Sequence, residues 1–169
     1  NKGFRLQHPG NDKVTRYGFD SEEEFNSFRF MDHSVGWFME QVRNEPYFEN
    51  TIFVFFGDHG IAGDAGRHRP KSETQLELGS YSTPLVIYAP KLLEPHRFEK
   101  IGTHLDILPT LAALTGHDYV NTTFGRNLLD PQYDDRRYAF TIQHSGIPQL
   151  GLIGDEFVFR IKADGSNAR

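Results

Sequence analysis

Apolar residues fall at Phe25, Phe28, Val35, Phe38, Met39 and Val42, at spacings of three, four and seven. That rhythm lines one face of an amphipathic helix. Ser21 and Glu24 supply a capping box for its start, and the run Glu22-Glu23-Glu24 suits the positive end of a helix. Asn44 to Pro46 closes it. Residues 51–56 and 84–89 are short, continuously apolar and rich in β-branched and aromatic side chains. Such runs predict strands buried on both faces, as in a parallel sheet covered by helices. Apolar positions 105, 107, 108, 111, 112 and 114 predict a second helix, with Gly116 at its C-terminal cap and Pro109 in or near its first turn. Residues 138–143, 150–153 and 156–161 read as short strands, with Gly154-Asp155 as a hairpin turn. The order predicts an α/β fold: a mostly parallel sheet flanked by helices, with a C-terminal antiparallel hairpin. Residues 60–82, polar and carrying Gly60, Gly63, Gly66 and Gly79, read as a long loop without structure of its own. Loops of that length are often functional.

Composition narrows the class. The chain has 169 residues, the length of one domain, and a net charge of −5 with no basic run, which argues against a nucleic-acid surface. Apolar runs such as residues 52–56 are too short to span a bilayer. Cysteine is absent, so disulfides, thiolate metal sites and a cysteine nucleophile within this chain are excluded. The opening, residues 1–16, is polar and irregular and starts at Asn1. It reads as cut from something longer, so residues 1–169 are expected to be part of a catalytic domain.

The sharpest chemical feature is Gly57-Asp58-His59-Gly60, directly after the strand at 51–56. In open α/β sheets ligands bind beyond the carboxyl ends of the strands. A carboxylate and an imidazole emerging there can both reach one divalent cation. The alternative is a turn in which Asp58 caps the next segment and His59 is merely exposed.

The surroundings carry a resemblance. Asn50 to Gly60, with its apolar run ending in Gly-Asp-His-Gly, resembles the metal-binding strand of the sulfatase branch of the alkaline phosphatase superfamily. Met31-Asp32-His33-Ser34-Val35-Gly36 resembles the Asp-x-x-x-Gly helix before it. Ser82-Thr83-Pro84 through Pro90 resembles the strand after it. Asp106, Pro109, Thr110 and Gly116 match a following helix, and Phe124-Gly125-Arg126-Asn127-Leu128-Leu129 an element downstream. The nearest group is that of the lipoteichoic acid synthases and phosphoglycerol transferases. The resemblance covers about residues 25–130, and the final hairpin also fits.

The resemblance implies that Asp58 and His59 are two ligands of a catalytic divalent metal, manganese first, with calcium, zinc or magnesium as alternatives. The remaining ligands and the nucleophile belong to the N-terminal half of such a domain, and no segment here matches them. No catalytic nucleophile is therefore assigned, and the chain is expected to be the C-terminal portion of a sulfatase-type domain. The implied reaction is a two-step displacement on phosphorus or sulfur through a covalent ester, completed by an alcohol or water. The implied substrate is an anionic phosphoglycerol or sulfate ester, handled at the outer face of the cytoplasmic membrane or in the periplasm by an enzyme anchored through an N-terminal region.

Three further residues follow from the same resemblance. His68 and Lys71, in Arg67-His68-Arg69-Pro70-Lys71, occupy the loop where relatives place a Lys or His against the ester oxygens. A solvated basic loop is the alternative. His8, in Leu6-Gln7-His8-Pro9, matches a histidine that contacts phosphoglycerol in synthase relatives, against an ordinary loop histidine. The spacing His8-x-x-x-Asp12 inverts the Asp-x-x-x-His of two-metal relatives, which speaks against a complete second metal site. Asp106 is read as a helix cap or pin, and His104 as structural rather than a ligand. His33, His96, His117 and His144 have no motif support. The competing class is a non-catalytic α/β binding module, or an inactive fragment of such an enzyme.

Overall fold

A computed structural model describes residues 3–144 and 146–168; Asn1 and Lys2, at the head of the expected irregular opening, lie outside them. The chain divides into two compact units, Asn1–Glu94 and Pro95–Arg169.

In the first unit, the short helix α1 (Asn11–Val14) leads through a 3-10 turn, Thr15–Tyr17, to the long helix α2 (Glu22–Val42). The expected cap is present: extended Ser21 accepts the Glu24 N–H on its hydroxyl at 3.2 Å. The reciprocal arm is shifted by one residue, since the Glu24 carboxylate accepts from the N–H of Asp20 at 2.6 Å. The apolar stripe of α2 packs at both ends. Phe25 and Phe28 meet Phe19 at 5.4 and 5.6 Å between ring centres, and Phe38 meets Phe53 and Phe55 at 6.1 and 6.4 Å. Burial falls short of the expectation, because of the stripe only Val42 is fully buried and Phe28 and Phe38 stay 48% and 41% exposed.

Strands β1 (Phe53–Phe56) and β2 (Leu85–Tyr88) form where predicted but pair antiparallel, Phe53 opposite Tyr88 and Phe56 opposite Leu85. This corrects the expectation of a parallel sheet. A continuous apolar run has no periodicity that encodes pairing direction. Direction is set by the connection: a parallel neighbour needs a crossover back to the other end of the strand. Here the connection leaves at Gly57 and returns beside it, with the Gly57 N–H donating to Pro84 O at 3.3 Å. The strands are not buried on both faces either, since Phe56 and Val86 are 54% and 53% exposed. Nor is the connection featureless. It holds a 3-10 turn, Gly66–His68, a short helix α3 (Lys71–Gln75) and a second 3-10 turn, Leu78–Tyr81.

In the second unit, α4 (His104–Thr115) starts with a full capping box between Thr103 and Asp106 and ends at Gly116 in the left-handed region, φ 68°. Pro109 lies in the second turn, where it withdraws the hydrogen-bond donor that Leu105 O would otherwise receive. Gly125 packs closely on that carbonyl: a Cβ there would lie 1.9 Å from Leu105 O, so no side chain is tolerated. Asp106, buried, accepts the N–H groups of Thr103 at 2.7 Å and Arg126 at 2.6 Å. Buried Thr110 donates to Asp106 O at 2.7 Å and accepts the Leu128 N–H at 2.9 Å. The Asp-x-x-Pro-Thr and Phe-Gly-Arg-Asn-Leu motifs are thus two halves of one clamp. Arg137 closes it, donating to Leu128 O at 2.8 Å and pairing with Asp134 at 2.9 Å.

The expected C-terminal hairpin is present, and all three strands read in 138–161 form. Strands β3 (Ala139–Gln143), β4 (Gln149–Ile153) and β5 (Val158–Lys162) form an antiparallel meander in the order β3-β4-β5. The last turn is closed by Gly154 N–H to Phe157 O at 2.8 Å. The class is α/β, with two small antiparallel sheets among the described residues.

Candidate functional site

Beyond the last rung of β1, Asp58 and His59 leave the sheet. Asp58 Oδ1 accepts the backbone N–H of His59 at 2.9 Å, and His59 Nε2 stands 4.0 Å from the same oxygen. His59 Nδ1 lies 3.0 Å from the Gly60 carbonyl. A carbonyl only accepts, so the ring proton sits on Nδ1 and Nε2 is left for another partner. The Gly60 carbonyl first, and the Asp58 carboxylate second, raise the His59 pKa above its ordinary value. Both side chains are open to solvent, 93% and 78% exposed.

The segment that follows is tightly stapled. Gly60 N–H donates to Ser80 O at 2.9 Å, and a Cβ on Gly60 would sit 2.0 Å from Gly79 O and 2.4 Å from Ser82 O. Only glycine lets the two backbones approach this closely. The Arg69 guanidinium packs on Gly79, bonds Ile61 O at 3.4 Å and pairs with Glu73 at 3.7 Å. Arg69, which sequence patterns passed over in favour of its neighbours, is therefore the strut of the loop.

The donor set suits a divalent cation. Asp58 offers carboxylate oxygen and His59 an imidazole nitrogen, the mixture that zinc and manganese-like ions accept. A metal-bound histidine characteristically donates its other ring N–H to a carbonyl or carboxylate, and His59 Nδ1 is engaged in that way. The pair is not a complete centre, because no group of three or more His, Asp or Glu gathers to hold an ion among the described residues.

The other candidates stand on separate elements. His68 ends the turn Gly66–His68 and stacks on Tyr17, ring centres 5.1 Å apart at 28°. Lys71 is the exposed first residue of α3. His8 meets Glu22 at 3.3 Å. Among the described residues, no hydrogen bond or ion pair joins His8, His68 or Lys71 to Asp58 or His59. Asp106 takes the structural role expected of it, and His104 is the exposed first residue of α4.

Comparison with known proteins gives a consistent picture. A family model described as Sulfatase matches residues 16–117, which include Asp58, His59, His68 and Lys71. An ulvan-active sulfatase of Formosa agariphila is 29% identical over 133 residues, 78% of this chain and 21% of that protein. Lipoteichoic acid synthase 1 of Bacillus subtilis is 26% identical over 122 residues, 66% of this chain and 18% of that protein. Human arylsulfatase A is 29% identical over 113 residues, 63% of this chain and 22% of that protein. The chain therefore spans about a fifth of the length of these relatives.

Proposed function

The chain belongs to the sulfatase family, and from that premise we propose that Asp58 and His59 are two ligands of a divalent cation in a centre that transfers or hydrolyses phosphate or sulfate esters. The observation that carries the reading is the His59 ring itself, locked by the Gly60 carbonyl so that Nε2 is presented beside the Asp58 carboxylate at the open end of β1. A cation held there, manganese by our reading, would draw charge from the ester oxygens and acidify a nearby hydroxyl. This chain's own residues orient rather than attack. Asp58 Oδ1 fixes the His59 backbone, Gly60 and Arg69 hold the loop, Lys71 supplies a cationic group and His68 a ring N–H for the ester oxygens. The attacking group is contributed from outside these residues.

The substrate by this reading is a phosphoglycerol or sulfate ester, met on the outer face of the cytoplasmic membrane. Resemblance to the anchored synthases is the support for that location; among the described residues, no helix is long and apolar enough to cross a membrane. The competing reading, a binding module without turnover, is favoured by the lack of a third donor beside the pair among the described residues.

The deciding experiment is manganese titration of the full-length protein by calorimetry, with turnover measured on an aryl phosphodiester, a phosphonate monoester and an aryl sulfate. Loss of an outer-shell partner costs about 10- to 100-fold in affinity or activity, so Asp58→Ala and His59→Ala should each cost at least about a hundredfold. Near-normal metal binding and rates in either variant would refute the assignment, and metal binding without turnover of any ester would favour the binding module.

A further inference from the structure

Residues 4–10 are strapped to α2 by three polar side chains on one helical face, Glu22, Asn26 and Arg29. Glu22 takes the Gly10 N–H and faces His8 Nδ1 at 3.3 Å. Asn26, buried, accepts the Gln7 N–H at 2.9 Å and donates to Gln7 O at 2.8 Å. Arg29 donates to Arg5 O at 3.1 Å and to the Asn26 side-chain oxygen at 3.0 Å, with its guanidinium 5.2 and 5.6 Å from the centres of the Phe4 and Phe25 rings. At the head of the strap, segment and helix leave an open cleft of about 340 Å³, lined by Gly3, Phe4, Arg5, Arg29, Asp32 and His33. The Phe4 ring is fixed in its wall by Phe30 and His33, 5.1 and 5.5 Å away between ring centres. The strap decides which charges the cleft keeps. Asp32 stands three residues on from Arg29, a spacing at which opposite charges pair on a helix. Arg29 is instead engaged by Arg5 O and Asn26. Among the described residues, neither the Asp32 carboxylate nor the Arg5 guanidinium has an ion-pair partner, although both line this cleft. The cleft thus holds one uncompensated carboxylate, one uncompensated guanidinium and an aromatic ring.

We propose that this cleft binds a small zwitterion, a molecule with one carboxylate and one ammonium joined by a few methylenes, as in an ω-amino acid. The planar fork of Arg5 matches a carboxylate, Asp32 accepts from the ammonium N–H groups, and the methylenes lie against Phe4. One fixed charge of each sign selects a ligand that is neutral as a whole. A dianion would set its second charge against Asp32, and a simple amine would leave Arg5 unanswered. The volume lies near the lower end of the range for ligand sites, about 300–1,000 Å³, which suits a small molecule. None of these residues takes part in the ester-transfer reading above, so the site stands or falls separately from it.

The test is saturation-transfer NMR on the full-length protein as isolated, with γ-aminobutyrate as the probe. Butyrate and butylamine, each carrying one of its two charges, are the controls. An exposed ion pair is worth up to about fivefold in an equilibrium constant, so each control should bind about fivefold more weakly than the probe. Arg5→Gln and Asp32→Asn should each weaken the probe by about the same factor. Asp32→Asn should leave butyrate no weaker, and Arg5→Gln should leave butylamine no weaker. Both side chains are exposed, so neither substitution removes a packed group. Asp58→Ala should leave the probe bound. A probe signal no stronger than that of the controls, or undiminished probe binding in either cleft variant, overturns the proposal. Loss of the probe in Asp58→Ala would place it at the cation pair and overturns the proposal as well. None of these outcomes measures turnover, so the ester-transfer reading is decided by its own experiment.

Discussion

Glu77 follows α3 with its backbone in the left-handed region, φ 55°. A side chain there costs about 1 kcal/mol or more relative to right-handed backbone, and glycine escapes the cost but is freer when unfolded. Glu77→Gly should therefore raise the denaturation midpoint modestly, and Glu77→Val, branched at Cβ, should lower it; urea titration followed by circular dichroism reads both. Asp134 makes a second residue-scale prediction. Hydrogen bonds from Lys100 first, and from Arg137 second, hold its carboxyl below the ordinary aspartate range. A carboxylate with a lowered folded pKa stabilises above its unfolded value, about 4, and loses that contribution as the pH falls through the folded value. Asp134→Asn should flatten the acid limb of the stability curve below about pH 4 and leave the neutral limb unchanged in slope. An acid limb as steep as that of the wild type would show that the pairing contributes nothing.

At the scale of elements, the clamp between α4 and residues 124–129 depends on one hydroxyl. Thr110→Val keeps the shape but leaves the buried Leu128 N–H without an acceptor. An unsatisfied buried donor costs about 1–3 kcal/mol, and thermal unfolding of the variant should show a loss in that range. Helices α2 and α4 were legible in the sequence because their signals are local: Ser21 at one start, Asp106 in the first turn of the other and Gly116 at its end, although the Thr103 half of that cap was not read. Strand positions were legible for the same reason, and strand direction was not, because it is fixed by where residues 57–84 return. The Asp58–His59 pair was legible because neighbours in sequence remain neighbours in space. The strap was not: Glu22, Asn26 and Arg29 look like a solvated helix face until a segment more than ten residues upstream lies against them. Arg69 was hidden in the same way, as one cation among several.

Taken whole, the 169 residues expose 12585 Å². Two separate compact bodies of roughly half this mass each would expose only about 10,000 Å², so the excess belongs to the units themselves. Much of it is apolar. By register, Phe140, Ile142, Leu150, Leu152, Phe159 and Ile161 share one face of the β3-β4-β5 sheet, and Phe140 is 59% exposed. Exposed apolar faces of sheets promote association. The 169 residues produced alone should bind hydrophobic dyes and self-associate, and Phe140→Thr with Ile142→Thr should reduce both without loss of helical signal. Light scattering and circular dichroism check this, and undiminished association in the double variant would place the sticky surface elsewhere.

The chain leaves β1 and regains β2 at a single doorway, marked by Gly60 N–H to Ser80 O and Gly57 N–H to Pro84 O. The residues between Gly60 and Ser80 are thus closed off at their base. Lengthening this loop twofold would cost only about 0.6 kcal/mol in closure entropy, so the stretch around Arg67 and Lys71 can be exchanged for a foreign one while Asp58 and His59, which precede the Gly60–Ser80 bond, stay where they are.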